Sequence, residues 1–202
     1  MQNAPYMTDS YMKEFETVVE SVKDDKYIVL NRTYFYPNGG GQPFDTGVMI
    51  CNGEEYQVVF AGKFDGNISH EVARPGLKAG DKVTGRIDWD RRYRLMRMHT
   101  AAHIIDAILY NEAGALCTGN QLGLDKSRID FSLDVLDRDK MQSYINMANE
   151  YVKKAVELKI YYLKREEALK IPGIVKLASV MPPEVEELRI VEIPGIDIQA
   201  DG

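Results

Sequence analysis

Near Asp90 the hydrophobic pattern of this chain changes from an alternating one to a helical one. Before Asp90, short runs of β-branched and aromatic residues are separated by turn residues, which is typical of strands. After it, the segment from Arg91 to Asn111 has apolar residues at helical spacing, and Gly114 suits the end of a helix. The pattern therefore predicts an α+β protein: a β domain over residues 1–89 and a mixed α/β domain over residues 90–202.

The first domain is predicted to be a small β-barrel, because several short strands are separated by regular turn residues. Asn52-Gly53 between two apolar runs is typical of a type I′ hairpin turn. The predicted strands are Glu14–Lys23, Lys26–Leu30, Val48–Cys51, Glu54–Phe60 and Val83–Trp89.

The second domain is predicted to mix helices and strands. Asp137 can cap a long helix that continues to about Glu157, with Tyr144, Ile145, Ala148, Tyr151 and Val152 in its apolar stripe. The other predicted elements are a strand at Ser127–Leu133, a strand at Lys159–Leu163, a helical turn at Glu166–Lys170 and final strands at Leu188–Ile193 and Ile196–Gln199.

Charge and cysteine content exclude several classes of protein. A net charge of −6 argues against non-specific binding to nucleic acid, although a local basic patch stays compatible with it. Cys51 and Cys117 are too few for a disulfide framework, so reduced thiols in a cytoplasmic protein are expected. No apolar run approaches the ~18 residues of a membrane span.

His99 and His103 are two of only three histidines, and they lie four residues apart in the predicted helix. This spacing places both imidazoles on one helical face, where they can bind one zinc ion. A zinc peptidase has a Glu directly after the first His, and here that position is Thr100. The remaining ligands must come from elsewhere, and Cys117 and Asp201 are candidates by residue type. The alternative is that both histidines are core residues satisfied by hydrogen bonds, as we expect for the third, His70.

Three further segments each allow two interpretations. Arg91, Arg92, Arg94 and Arg97 form either a solvated face or a phosphate-contacting patch. Gly39–Gln42 is either a turn or a place where a ligand approaches the backbone closely; it is not a P-loop. The Thr118 hydroxyl can either bond a substrate hydroxyl or serve the chemistry of a turn.

Taken together, these segments resemble the AlaX family of free-standing alanyl-tRNA editing proteins, which are similar to the editing domain of alanyl-tRNA synthetase. The order of a glycine motif followed by a histidine pair is specific, and the medium-length form matches best. The resembling segments are Phe35–Gly47, Arg97–His103, Ser127–Phe131 and Ile196–Gly202.

The resemblance implies a hydrolase that deacylates tRNA(Ala) mischarged with serine, and also with glycine, with no membrane or obligate protein partner. One zinc ion is implied on His99 and His103, with Asp201 at the place of the first residue in the family's Cys-x-x-x-His motif. Thr118 is the candidate catalytic residue, because it matches a position that contacts the misplaced amino acid. The glycine loop (Gly39, Gly40, Gly41 and Gln42), Thr118 and Arg97 are the candidate substrate-binding residues.

Two rival functions remain open from the sequence. One is a non-catalytic tRNA-binding module with an incomplete metal site. The other is a structural domain that a metal ion stabilises, in which case chelation would unfold the protein rather than only inactivate it.

Overall fold

The computed structural model describes residues 5–135, 137–176 and 184–200. The chain divides into two compact units, Met1–Met96 and Arg97–Gly202. The division falls inside the longest helix, α2, which begins at Trp89. The elements are α1 (Pro5–Thr8), β1 (Glu14–Lys23), β2 (Tyr27–Leu30), β3 (Gly47–Cys51), β4 (Glu54–Phe64), β5 (Asn67–Val72), β6 (Lys82–Ile87), α2 (Trp89–Ala113), β7 (Cys117–Gln121), β8 (Arg128–Phe131), α3 (Arg138–Lys153), β9 (Lys159–Lys164), α4 (Arg165–Ala168), β10 (Glu187–Ile193) and β11 (Asp197–Ala200).

The first unit contains a closed barrel of six antiparallel strands in the order β1-β2-β5-β4-β3-β6, which confirms the predicted barrel and the mixed α+β class. Alternate strand residues point inward and form one apolar core together with Phe35, from the segment between β2 and β3. Ile28, Phe35, Met49 and Ala61 are fully buried in it. Closure pairs every barrel strand on both sides, so that the barrel has no free edge.

The sequence missed β5, ended β4 at Phe60 instead of Phe64, and extended the last barrel strand beyond Ile87. Asp65 and Gly66 have φ values of 49° and 82°, so they turn β4 back into β5 just as Asn52 and Gly53 connect β3 to β4. The inward positions of β5 include His70, and a polar residue there hides the alternating pattern. Trp89 was expected to end the last barrel strand, but it is the first residue of α2.

A buried ion pair anchors the start of α2 to the segment after the glycine loop. Arg92 and Asp45 have side chains 2% and 1% exposed, and they form an ion pair. The Arg92 guanidinium also donates to the carbonyl oxygens of Ser10, at 2.9 Å, and Tyr34, at 2.6 Å. Both interpretations of the arginine group are therefore wrong for Arg92, which is neither solvated nor available to a phosphate.

The second unit packs α2 against α3 and carries two small sheets. Ile104 and Ile108 of α2 form a core cluster with Ala148 of α3 and Ile193 of β10. Ile145 and Val152, expected in the apolar stripe of α3, are 38% and 56% exposed. The sheets have the orders β11-β10-β9 and β7-β8, and no helix in the described ranges is long and apolar enough to cross a membrane.

Candidate functional site

Helix α2 brings the two predicted metal-binding histidines together. The ring centroids of His99 and His103 lie 5.1 Å apart, and their planes are inclined by 35°. The four-residue spacing produces this arrangement, because residues i and i+4 lie on the same helical face. Both rings are partly buried, so the helix holds two imidazole donors side by side at a semi-enclosed position.

Asp197, the first residue of β11, supplies a carboxylate to this helical face. The Nδ1 atom of His103 lies 3.1 Å from Oδ2 of Asp197. In β11 the polar residues Asp197 and Gln199 are buried, while Ile198 between them is partly exposed. The pleat of the strand therefore directs two polar side chains inward, which is the reverse of the usual amphipathic pattern.

Asp197 is held by two further donors. Lys176 Nζ lies 2.5 Å from Asp197 Oδ1, and Gln199 Nε2 donates to Oδ2 at 3.0 Å. Lys176 also donates to the carbonyl oxygens of Gly173, at 2.8 Å, and Ile198, at 3.4 Å. The buried ammonium group thus has an acceptor for each of its three protons, as a buried charge requires.

Burial and hydrogen bonds shift the pKa values of two carboxyl groups near His103, those of Asp197 and Asp106. Burial alone would raise the pKa of Asp197, but hydrogen bonds from His103 and Lys176 outweigh it, and the pKa lies below its usual value. Burial raises the pKa of Asp106, one turn further along α2, to about 6. The Oδ1 atom of Asp106 is buried without a hydrogen-bond partner among the described residues.

The residues of this site fit a metal ion, although the described part of the chain does not complete its coordination. Two neighbouring imidazoles are suitable zinc donors, and a carboxylate on the other ring nitrogen is the usual support of a metal-binding histidine. Within the described ranges no group of three or more His, Cys, Asp or Glu side chains is arranged to hold a metal ion. Asp201, the expected third ligand, lies outside the described residues.

Cys117 does not join the histidines in the structure. Its thiol is buried and lies 3.5 Å from the carbonyl oxygen of Gly119. Burial, with the charges of Asp106 and Asp130, raises the pKa of this thiol. Among the described residues Cys117 therefore does not complete a metal-binding group with the histidines, and Asp201 stays a prediction.

Comparison with known proteins decides the family. The chain is 52% identical to the alanyl-tRNA editing protein AlaX-M of Methanosarcina barkeri, over 100% of this chain and 86% of the relative. It is 49% identical to AlaX-M of Saccharolobus solfataricus, over 98% and 84% of the two chains. The chain belongs to the AlaX family of alanyl-tRNA editing proteins.

Two further similarities fit this AlaX assignment. The alanine–tRNA ligase of Pyrococcus abyssi is 40% identical over 98% of this chain, but this covers only 22% of the ligase. The family model described as tRNA synthetases class II (A) matches residues 2–91. The AlaX chain thus resembles one limited part of a much larger ligase.

The glycine loop of this AlaX chain is a tight turn in the first unit. Gly39 and Gln42 bond each other through both backbone amides, at 2.9 and 3.1 Å. Gly40 and Gly41 between them have φ values of 57° and 78°, as the two central residues of a type I′ turn require. Two glycines are therefore needed for the turn itself, whereas Gly39 has no positive φ and has space for a Cβ.

Thr118 and Arg97 are both exposed residues of the second unit. Thr118 lies on β7 between Cys117 and Gly119, where the pairing with β8 shifts register. A bulge of this kind re-aims a side chain, and such bulges are common beside active sites. The hydroxyl of Thr118 and the guanidinium of Arg97 are thus both available to a large ligand.

Four polar residues near the histidines were not predicted from the sequence: the buried Asp106, and Lys176, Asp197 and Gln199, which form the hydrogen-bonded group at His103. Asp106 could have been found, because it continues the face of α2 that carries His103. Lys176, Asp197 and Gln199 offer no comparable pattern. Their proximity to His103 depends on how the strands pack against the helix.

Proposed function

We propose that this protein is a trans-editing aminoacyl-tRNA deacylase that hydrolyses the ester of tRNA(Ala) mischarged with serine, and also with glycine. One zinc ion is held by His99 and His103, with Asp201 as a further ligand. The reaction takes place in the cytoplasm, where aminoacyl-tRNA is made and used.

The observation that carries the proposal is the match over 98–100% of this chain to AlaX-M, a protein named for alanyl-tRNA editing. The match spans 84–86% of those two relatives but only 22% of an alanine–tRNA ligase. This difference supports an editing protein that acts apart from the synthetase. The paired imidazoles and the carboxylate on His103 support a hydrolytic metal centre in it.

Serine is the expected error because an alanine-activating pocket rejects one added hydroxyl poorly. A second site that hydrogen-bonds this hydroxyl can discriminate, since alanine would leave the polar partner unsatisfied. Thr118 is proposed for this contact, as its hydroxyl can both donate and accept. Discrimination of glycyl esters needs a separate basis, because glycine also lacks the hydroxyl.

Arg97 and the glycine loop are each proposed, separately, as contacts for the tRNA. Arg97 is exposed and can contact a phosphate in two places through its planar guanidinium. At Gly39, Gly40 and Gly41 the backbone carries no side chain, which lets a ligand approach the backbone closely. A bound zinc ion would supply a Lewis acid for the ester carbonyl or for an attacking water.

The test is deacylation by the purified protein of tRNA(Ala) charged with serine, glycine or alanine. We expect hydrolysis of the seryl ester, weaker hydrolysis of the glycyl ester and none of the alanyl ester. Replacing both histidines, His99→Ala with His103→Ala, should abolish the activity together with zinc binding. The matched control is His70→Gln, which removes the third histidine, inside the barrel.

Two results would contradict the proposal. Unchanged deacylation by the double variant would remove the metal centre from the mechanism. Tight binding of tRNA(Ala) by the wild type without any hydrolysis would favour the non-catalytic binding module. Binding of tRNA(Ala) and hydrolysis of its ester are therefore measured on the same preparation, after dialysis into a buffer that contains zinc.

A further inference from the structure

We propose that Asp197 is the positioning residue for His103, fixing the ring nitrogen that His103 presents to a metal ion. This inference rests on the metal centre proposed above and assigns a role to a residue that is not itself a ligand. It depends on the geometry around the Asp197 carboxylate, on its burial and on the chemistry of imidazole.

The contact between the two side chains defines which nitrogen carries the proton. An ionised carboxylate only accepts hydrogen bonds, so across the 3.1 Å contact Nδ1 of His103 is the donor. The Lys176 ammonium at 2.5 Å is the counter-ion of this carboxylate. In this tautomer the lone pair is on Nε2, which is the atom left to coordinate a metal ion.

The carboxylate is itself immobilised, which distinguishes it from an accidental surface partner. Its side chain is 1% exposed, and Lys176 and Gln199 hold its two oxygens at 2.5 and 3.0 Å. Lys176 is fixed in turn by two backbone carbonyls, from Gly173 and Ile198. The orientation of the His103 ring is therefore set by the backbone of the second unit through a chain of short contacts.

The ammonium of Lys176 also explains how the site tolerates a buried carboxylate. A buried Asp alone would favour its neutral form, which could donate a proton to the ring and stabilise the wrong tautomer. With Lys176 at 2.5 Å, the pair is neutral overall and the carboxylate stays an acceptor. Lys176 thus supports the role of Asp197 without touching the histidine.

The first experiment measures zinc affinity by competition with a chromogenic chelator, using zinc alone and the full chain. Asp197→Asn keeps the size of the side chain and removes its charge. We expect zinc affinity to fall by about 10- to 100-fold, as is typical when the outer partner of a metal-binding histidine is lost. The matched control is Asp45→Asn, an equally buried carboxylate paired with Arg92 in the first unit, which should leave zinc affinity unchanged.

Asp197→Asn leaves the Lys176 ammonium without its counter-ion, so folding is checked and a second variant is used. The double variant Asp197→Asn, Lys176→Met removes both charges and keeps the site neutral. It should show the same loss of zinc affinity as the single variant. Zinc affinity equal to wild type in either folded variant overturns the inference.

The second readout is the tautomer of His103, from nitrogen-15 NMR of the metal-free protein, in which only three histidines contribute. We expect the proton on Nδ1 in the wild type and a mixed tautomer in the folded Asp197 variants. A merely structural role would leave this ratio unchanged, and an unchanged ratio overturns the inference.

The two proposals fail in different ways. If the wild type and the His99→Ala, His103→Ala variant bind zinc equally, or neither binds it, the proposed metal centre fails and the positioning role fails with it. If zinc binding needs the histidines but not Asp197, only the positioning role fails.

Discussion

His70 and His103 show how hydrogen-bond partners give one side-chain type two different roles. The Nδ1 atom of His70 lies 2.9 Å from the Ile28 carbonyl oxygen, and Nε2 lies 2.9 Å from the Thr33 hydroxyl. Both nitrogens are thus occupied by neutral groups in the barrel core, and burial lowers the pKa of His70 to about 4. His103 instead faces a carboxylate. The surroundings of His70 favour a neutral ring with a structural role. The carboxylate beside His103 orients that ring.

Acidification should destabilise the protein through His70. The folded-state pKa of about 4 lies below the unfolded value near 6.5, so only the unfolded chain binds a proton between these values. The stabilisation is complete above pH 6.5 and is lost as the pH falls through this window, by roughly 2 kcal/mol between pH 7 and 4.5. Urea unfolding at the two pH values measures it, with the single tryptophan, Trp89, as the probe.

The control is His70→Gln, which can bond the same two partners but does not titrate. Asp106, with its pKa raised to about 6, acts in the opposite direction over the same range, because its protonated form is favoured in the folded state. The measured quantity is therefore the difference in the free energy of unfolding between wild type and variant. The contribution of Asp106 is the same in both proteins and cancels in this difference. A difference that does not change with pH would contradict the assignment to His70.

Helices α2 and α3 contribute to the second unit in different ways. Helix α2 carries both His99 and His103 on one face and core residues such as Ile108 on another. Helix α3 presents Ala148 to the same core cluster but keeps the apolar Val152 exposed. Tyr144, Met147 and Tyr151 also pack against this cluster, so one face of α3 is apolar and only its margin is exposed.

Removing the N-cap of α3 should weaken the second unit measurably. The Asp137 carboxylate accepts hydrogen bonds from the backbone amides of Asp139 and Lys140, at 3.0 and 3.1 Å. Asp137→Ala should lower the free energy of unfolding by about 1 kcal/mol, since those amides lose their partner. Urea unfolding followed by circular dichroism checks this value. The control is Asp134→Ala, an exposed aspartate outside the helix, and an equal loss in both variants would contradict the capping role.

The charge of the whole molecule limits how it can bind tRNA. With 25 basic and 31 acidic residues, the net charge of −6 opposes general attraction to phosphates. Recognition of tRNA(Ala) must therefore come from a few local contacts, of which Arg97 is the proposed one. The same charge makes a large non-specific affinity for nucleic acid unexpected.

Removing zinc should inactivate the protein without unfolding it. The core clusters of the second unit use apolar contacts, such as Ile104 with Ala148, that need no metal ion. Chelation should therefore preserve the far-ultraviolet circular dichroism while deacylation of seryl-tRNA(Ala) is lost. Restoring zinc to a hundred times its dissociation constant should add about 2.7 kcal/mol to the free energy of unfolding.

The His99→Ala, His103→Ala variant is the control for this experiment, and its stability should not depend on zinc. Collapse of the helical signal on chelation of the wild type would instead support the metal-stabilised structural domain.

Local sequence determined what depends on neighbours along the chain. The alternating run predicted the bounds of β1, Glu14–Lys23. The pair Asn52-Gly53 predicted the hairpin turn. The spacing of His99 and His103 placed both rings on one face of α2, because helical geometry is set by distance along the chain. The resemblance in motifs pointed to the family that the relatives then established.

Only the tertiary structure decided the partners of those residues. Arg92 looked like a surface arginine until folding paired it with Asp45, and His103 meets Asp197 from a strand 94 residues away. The polar face of β11 points inward because Lys176 and His103 form hydrogen bonds with Asp197 there. Burial of a polar group is favourable only when a distant segment completes its hydrogen bonds, and no pattern along the chain records which segment that is.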